Sequence, residues 1–514
     1  MDENSWSEDM LNSSNESLEF LFHPRSIALA GITTANPEHW TRTFLNGLLE
    51  FGFESPIYLV NPKGGEIEGL KVYPSFQDIP NAIDYVISLV PARAAPSLVK
   101  ESADKGVKAI HFCTAGFSET GEDEGIRLEA EVVALCRKLG IRAIGPNCMG
   151  IYCPKSRMSF GPVFPKESGP VGVISQSGGN VNYLVRQAAL RGVRFSKVIS
   201  YGNASDLNES DFLQYLAADA DTRIIAMYIE GVRDGKRFRQ VLEEVTKEKV
   251  VILLKGGLTE GGARAVAGHT AAMAGSEATW NSLCKQFGMI RVDTLDELID
   301  VLVTLLFMPL PKGRNAVLVG GGGGASVLIT DEFEKRGLRV PQLPQEIISQ
   351  IREFTPPAGN ILRNPVDYSQ TMIYPERLSK TIDIISRWEG TDFLVKFMRT
   401  GQSPQLGGIQ GMLDIVKAGA FEKDGASSKP VAIVLEPSII VEEAKYIFQS
   451  LQECVSLGLP VYYSFASAAN AINLVLSYSE DRARHGYNRD LGFCLTTPVA
   501  KAVQIDEVCS GAKE

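Results

Sequence analysis

The stretch AVAGHTAAMAGS, residues 265–276, sets one imidazole, His269, among Ala, Gly, Ser and Thr. The chain has only five histidines, so a titratable ring at this place is not a compositional commonplace. Small neighbours let a ligand and the backbone approach the ring closely, as a phosphoryl-accepting imidazole requires. Such a nucleophile works as the neutral ring, and a nearby carboxylate can orient it and stabilise the charged phosphorylated product. Glu230, which follows the apolar run IIAMYI, supplies a carboxylate of that kind. A third element is ISQSGGN, residues 174–180, where Ser175, Gln176, Ser177, Gly178 and Gly179 join a strand to a helix. Hydroxyls and free N–H groups at a helix N-terminus form an anion site. The same residues read equally as a Ser177 N-cap followed by two turn glycines; Glu230 also reads as a loop glutamate, and His269 by itself reads first as an ordinary loop or core histidine.

Two further turns have ligand chemistry. GITTANP, residues 31–37, follows the first apolar strand, with Gly31 at the turn and Thr33 and Thr34 where a dinucleotide fold would place glycines. The GxGxxG fingerprint is missing, which leaves a phosphorylated ligand held by threonine hydroxyls, or a plain strand-to-helix turn. Lys63 in VNPKGG can meet a phosphate as a point charge, or be a solvated loop lysine. VGGGGGASVL, residues 319–328, is no P-loop, because no Lys-Ser/Thr follows the glycines. Cys148 in GPNCMG has no histidine near it in sequence and reads as a small buried hydrophobe.

The elements that must position these residues alternate. SIALAGI, PIYLVNP, IDYVISLVP, KAIHFCTAGF and RAIGPN read as buried strands separated by helical runs, the one after SIALAGI being HWTRTFLNGLLEFG with a Gly stop, and the unit closes near residue 147. A Pro-rich connector leads to VGVISQ, FSKVISYG, IIAMYIEG and VVILLKGG. A third series follows MPLPKGRN with AVLVGGGGG, TDFLVKF, PVAIVLEP and LPVYYSF. The expected fold class is α/β: three successive Rossmann-like or flavodoxin-like parallel-sheet domains, with ligands at the carboxyl ends of the strands. The expected divisions are a disordered leader at 1–18, then domains at 19–150, 151–310 and 311–478, and a tail without clear period at 479–514.

Composition bounds the remaining classes. The chain has 514 residues, 44% hydrophobic and 22% charged, which is globular rather than disordered. No apolar run reaches the roughly 20 residues that a membrane helix needs, and the acidic, polar start is no signal peptide. Eight scattered cysteines without a CxxC pair suggest neither a disulfide framework nor a metal site. A net charge of −10 without a basic stripe argues against nucleic acid. A cytoplasmic protein is expected, with no membrane or nucleic-acid partner.

Taken in order, these motifs resemble the NDP-forming acyl-CoA synthetases, related to succinyl-CoA synthetase. HPRSIALAGI, the run from VNPKGG to LVPA, AGFSETGEDEG and IGPNCMGIY are similar to the family's CoA-binding part. GVISQSGGN, YIEGVRDGKRF and AGHTAAMAGSEATW are similar to its phosphohistidine part, and NPVDY, residues 364–368, to a motif of its third domain. The resemblance spans roughly residues 18–475. It implies an acid–thiol ligase, the alpha subunit, making acyl-CoA from a small or medium carboxylic acid, coenzyme A and ATP through acyl phosphate and phosphohistidine. By position, His269 is the phosphohistidine and Glu230 its orienting carboxylate, while Ser175 to Gly179 hold the phosphoryl group. Gly31, Thr33, Thr34 and Lys63 lie along CoA, with Asn147 and the TAGFSE loop near its thiol end. The nucleotide and Mg²⁺ are then expected on an ATP-grasp beta subunit, in a heteromer such as α2β2. Thioester phosphorolysis or acyl or carbamoyl transfer without nucleotide, and a CoA-binding scaffold, are the alternatives. The chain departs from the family at the first turn, which usually reads Gly-Ala-Ser, and at Ala271, where Ser-His-Thr-Gly is usual.

Overall fold

The computed structural model describes residues 18–270, 275–320, 323–356, 358–368, 374–398, 414, 429–438 and 440–487. The leader expected at 1–18 lies outside them except for Leu18, as do Ala271 and the glycines at 321 and 322. The chain forms two compact units, Met1–Ala189 with Arg194–Leu298, and Leu190–Val193 with Ile299–Glu514.

The first unit contains two sheets. One is built from β1 (Ile27–Ala30), β2 (Ile57–Val60), β3 (Gly65–Ile67), β4 (Leu70–Tyr73), β5 (Tyr85–Ser88), β6 (Ala109–Phe112) and β7 (Arg142–Ile144). Their order is β3-β4-β2-β1-β5-β6-β7, parallel except for the β3/β4 pair. Strands β1, β5 and β6 are buried along their whole length, which is why each reads as a continuous apolar run rather than an alternating one. The chain leaves β1 towards β2 on one side, while β5 lies on the other. The topological switch, and hence the crevice at the strand ends, therefore falls at β1. Gly31 shows how close the backbones come there. It has φ +91°, and a Cβ would stand 2.9 Å from the Leu89 carbonyl carbon and the Val90 nitrogen at the end of β5.

The second sheet has β8 (Gly150–Tyr152), β9 (Ser168–Ser175), β10 (Phe195–Ser200), β11 (Ile224–Ile229), β12 (Val250–Lys255) and β13 (Ile290–Val292), in the order β13-β12-β11-β9-β10-β8. Its switch lies at β9, flanked in parallel by β10 and β11. The second unit carries β14 (Ala316–Gly320), β15 (Ile361–Leu362), β16 (Val366–Asp367), β17 (Phe393–Met398), β18 (Val431–Leu435) and β19 (Val461–Tyr462), ordered β15-β16-β14-β17-β18-β19. Its core packs Val317, Val319, Leu394 and Ile433 against Ile382, Ile385 and Leu451 of the covering helices. Three parallel-dominant sheets with helices are the α/β class expected.

Three local expectations change. The Pro-rich connector contains β8, which pairs antiparallel with β10; three residues are too few to show a period. The helix after β1 begins at Arg42 rather than near His39, because Thr41 Oγ1 accepts the Thr33 N–H at 3.3 Å and Arg42 Nε donates to the Thr33 carbonyl at 2.9 Å. It ends as the Gly stop predicts, with Gly52 left-handed. The periodless segment from 479 continues the helix Phe465–Arg484. An inward position there is filled by Arg482, buried against the rings of Tyr478 and Tyr487, so the apolar period is masked by a charge. Among the described residues no helix is long and apolar enough to cross a membrane.

Candidate active site

The polar residues at the carboxyl edge of the second sheet are joined by direct bonds. Strand β9 ends at Ser175, and the helix Gly178–Leu190 begins three residues later. Ser177 caps that helix: its Oγ accepts the Asn180 N–H at 3.2 Å and its carbonyl accepts the Val181 N–H at 3.2 Å. Ser175 Oγ accepts the Ser177 N–H at 3.2 Å and donates to the Ser177 carbonyl at 2.9 Å, which closes the turn. Gly178 and Gly179 open the helix, where first-turn N–H groups have no helical carbonyl to meet. At Gly178 a Cβ would lie 2.8 Å from Met149 Cγ, so a side chain there would have to displace Met149, the residue before β8.

Gln176 connects this turn to Glu230. Its backbone N–H donates to the Tyr228 carbonyl at 3.1 Å, and its side-chain Oε1 accepts the N–H groups of both Glu230 and Gly231, the latter at 3.0 Å. From the other side Lys255 Nζ donates to the Glu230 carbonyl at 2.7 Å. The Tyr228 hydroxyl donates to Glu230 Oε1 at 3.1 Å. Glu230 is buried, with its peptide gripped at both ends and one carboxylate oxygen engaged. Burial pushes the Lys255 ammonium down to about 8, against the opposing pull of the Glu230 charge, and its Nζ lies 5.3 Å from the Trp280 ring centroid. Lys255 and Tyr228 also line a cleft of about 480 Å³ with Gly256, Thr259, Glu277 and Arg291. Sequence reasoning missed Lys255; a charge ending the apolar run VVILLK was the available signal.

His269 lies in the helix Glu260–Thr270, whose start is capped by Thr259: its carbonyl accepts the Ala263 N–H at 2.7 Å and its Oγ1 the Gly262 N–H at 3.1 Å. The His269 side chain is outside the described residues. The helix packs against the turn Ser118–Thr120 of the first sheet's edge.

The crevice residues of the first sheet separate into two groups. Asn147, at φ 58°, joins Trp40, Arg93, Cys113, Thr114, Gly116 and Thr120 around a cleft of about 590 Å³. Gly31, Thr33, Thr34 and Lys63 are not among the residues lining it. Thr33 is committed to shaping its own turn, accepting the Ala35 N–H on Oγ1 at 3.4 Å. Lys63 is exposed, and Asn61, which sequence reasoning passed over, ties that loop to the first turn by donating to the Ile32 carbonyl at 2.8 Å and accepting the Lys63 N–H at 3.0 Å. Cys148 is buried and its thiol is pushed well above the usual range by desolvation, as a small hydrophobe should be.

Two family models match stretches of this chain. Residues 25–154 match a family model described as a CoA binding domain, and residues 168–305 one described as a succinyl-CoA ligase like flavodoxin domain. The alpha subunit of acetate–CoA ligase [ADP-forming] I from Pyrococcus furiosus is 35% identical over 91% of this chain and 99% of its own length. The alpha subunit of the second such ligase from that organism is 34% identical over 87% of this chain and 94% of its own. Among solved structures, acetyl-coenzyme A synthetase 1 from Ca. Korarchaeum cryptofilum, in complex with phosphate and ADP, superposes with a TM-score of 0.74 at 30% identity, covering 91% of this chain and 97% of that one. Identity at this level along nearly the whole length of both chains places the molecule: it belongs to the NDP-forming acyl-CoA synthetases, in the family of ADP-forming acetate–CoA ligase alpha subunits.

Proposed function

We propose that this chain is the cytoplasmic alpha subunit of an acyl-CoA synthetase that makes acyl-CoA from a small carboxylic acid, coenzyme A and ATP, releasing ADP and phosphate. The first sheet, within 19–150, takes CoA; 151–310 carries the phosphoryl relay; 311–478 is the third domain. ATP and Mg²⁺ bind an ATP-grasp beta subunit in a heteromer of α2β2 type. The observation that carries the reading is the Gln176 clamp, which fastens a buried Glu230 to a helix-opening Ser-Gly-Gly turn on one sheet edge.

His269 takes the γ-phosphoryl group from ATP on the partner, with Glu230 orienting the ring and balancing its charge. The N–H groups opening the helix Gly178–Leu190, with Ser175 and Ser177, hold the phosphoryl oxygens. The substrate carboxylate then attacks phosphorus and frees the imidazole. The CoA thiolate attacks the resulting acyl phosphate at its carbonyl carbon, and inorganic phosphate leaves. CoA lies along Gly31, Thr33 and Thr34, with Lys63 near its phosphates and Asn147 near the thiol. The small residues around His269 let one ring serve two sites.

The test is His269→Ala in the enzyme assembled with its partner. Incubation with ATP and Mg²⁺ is expected to leave acid-labile phosphate on His269 of the unaltered chain and none on the variant, with ADP release lost. Turnover retained by the variant refutes the relay.

A further inference from the structure

We propose that Asn203 is a positioning residue, fastening the turn Ser118–Thr120 to the Glu230 turn so that the thiol-end cleft and the phosphoryl relay keep a fixed register. The proposal rests on the roles given above to His269 and Glu230.

Asn203 lies in the loop between β10 and the helix Glu209–Ala218, and it is 2% exposed. Its backbone N–H, its carbonyl and its side-chain NH2 each engage a different segment of the active edge, while Oδ1 is buried without a hydrogen-bond partner among the described residues. Its N–H donates to the Pro146 carbonyl at 3.0 Å, beside Asn147. Its carbonyl accepts from Arg233 Nη2 at 2.8 Å, two residues beyond the Gly231 N–H that Gln176 holds. Its side-chain Nδ2 donates to Glu119 Oε2 at 2.6 Å and to Glu129 Oε2 at 2.9 Å. Those two carboxylates shape the turn. Glu119 Oε1 accepts the Phe117 N–H at 3.1 Å, and Glu129 Oε2 accepts both the N–H of Ser118 at 3.2 Å and its hydroxyl at 2.6 Å.

The same turn has two faces with a use. Gly116 and Thr120 wall the cleft that Asn147 lines, and the helix bearing His269 packs on Ser118–Thr120. The neighbouring Gly202 admits no adjustment: a Cβ there would stand 2.1 Å from the Pro146 oxygen. One neutral amide thus separates two carboxylates and ties three loops together. Without its NH2 group each of the two carboxylates loses an N–H donor, Arg233 standing 3.5 Å from Glu129. The turn must then move, and a displacement of about 1 Å at reacting atoms costs on the order of 10²-fold in rate. Phosphorylation of His269 needs only the ring beside Glu230 and the partner's nucleotide, whereas thioester formation needs the cleft and the relay in register, so thioester formation is the more sensitive step.

Asn203→Ala and Glu119→Gln test this in the enzyme assembled with its partner. Glu119→Gln keeps the acceptor for the Gly116 and Phe117 N–H groups but turns a donor against the Asn203 amide. Because Glu119 is only half-buried, the fold tolerates that change. Labelling of His269 by γ-phosphate-labelled ATP and the rate of acetyl-CoA formation from acetate and CoA are measured separately. Both variants are expected to lower the thioester rate at least about 10-fold at saturating CoA while labelling stays within about twofold. Thioester rates unchanged, or both steps falling by one factor, overturn the proposal. No label on the unaltered chain refutes the relay reading instead, so the two failures are distinct.

Discussion

The Gln176 clamp makes a quantitative prediction. Gln176→Met keeps the length and nearly the volume of the side chain but removes its acceptor, leaving the N–H groups of Glu230 and Gly231 buried without it. Leaving one buried donor unsatisfied costs about 1–3 kcal/mol, so two cost about 2–6 kcal/mol. With an unfolding entropy of about 2.1 cal/mol/K per residue, 1 kcal/mol shifts the melting temperature of a unit of about 300 residues by about 1.6 °C, which puts the expected fall at about 3–10 °C. The local reading is sharper: amide exchange at Glu230 and Gly231 should accelerate, while exchange in β1 and β5 should not. Gln176→Glu retains an acceptor oxygen and should keep both amides protected, although it sets a second carboxylate beside Glu230. Phosphohistidine formation should fall on the order of 10²-fold in Gln176→Met, since Glu230 loses its fixed position. Unchanged exchange at the two amides in Gln176→Met refutes the clamp, and with it the reason given for Glu230's placement.

Two other predictions follow from buried or crowded positions. Gly31→Ala puts a Cβ at 2.9 Å from the β5 backbone in a left-handed conformation, so it should destabilise by more than about 1 kcal/mol and weaken CoA binding in titration calorimetry. Lys396 in β17 is wholly buried and desolvation pushes its ammonium down to about 7. Its unfolded value is near 10.4, so between about pH 7 and 10.4 the unfolded chain binds the extra proton and stability rises with pH. Urea midpoints measured across that window should climb in the unaltered chain and climb less in Lys396→Met; equal slopes would remove Lys396 as the cause.

Much of the fold was legible because parallel strands buried on both faces leave unbroken apolar runs, as in IALA, YVIS and VVILLK. Short edge strands were not. Gly65–Ile67, Gly150–Tyr152 and Ile361–Leu362 hold two or three residues each, below any readable period. In the site, the order of the Ser-Gln-Ser-Gly turn, Glu230 and the GHT run was visible along the chain, and each stands at a strand end or in the following helix. What Gln176 does was not visible. Its partners lie more than fifty residues away, and only the pairing of β9 with β11 brings its side chain under the Glu230 peptide.

The sequence by itself determined the layering and the family, since burial periodicity and ordered motifs are properties of the chain. The tertiary structure decided which polar groups share an edge. Strand order sets that, and strand order depends on contacts remote in sequence. Thus β9 lies between β10 and β11, bringing Asn203 from one loop and Glu230 and Arg233 from another to the same edge. It also decided that Thr33 shapes its own turn while Asn147, more than a hundred residues later, faces the cleft. Lys255, Asn203 and Glu129 carry no motif. Their roles arise because a buried donor or carboxylate must find a partner, and the fold offers each of them the segment that holds the site.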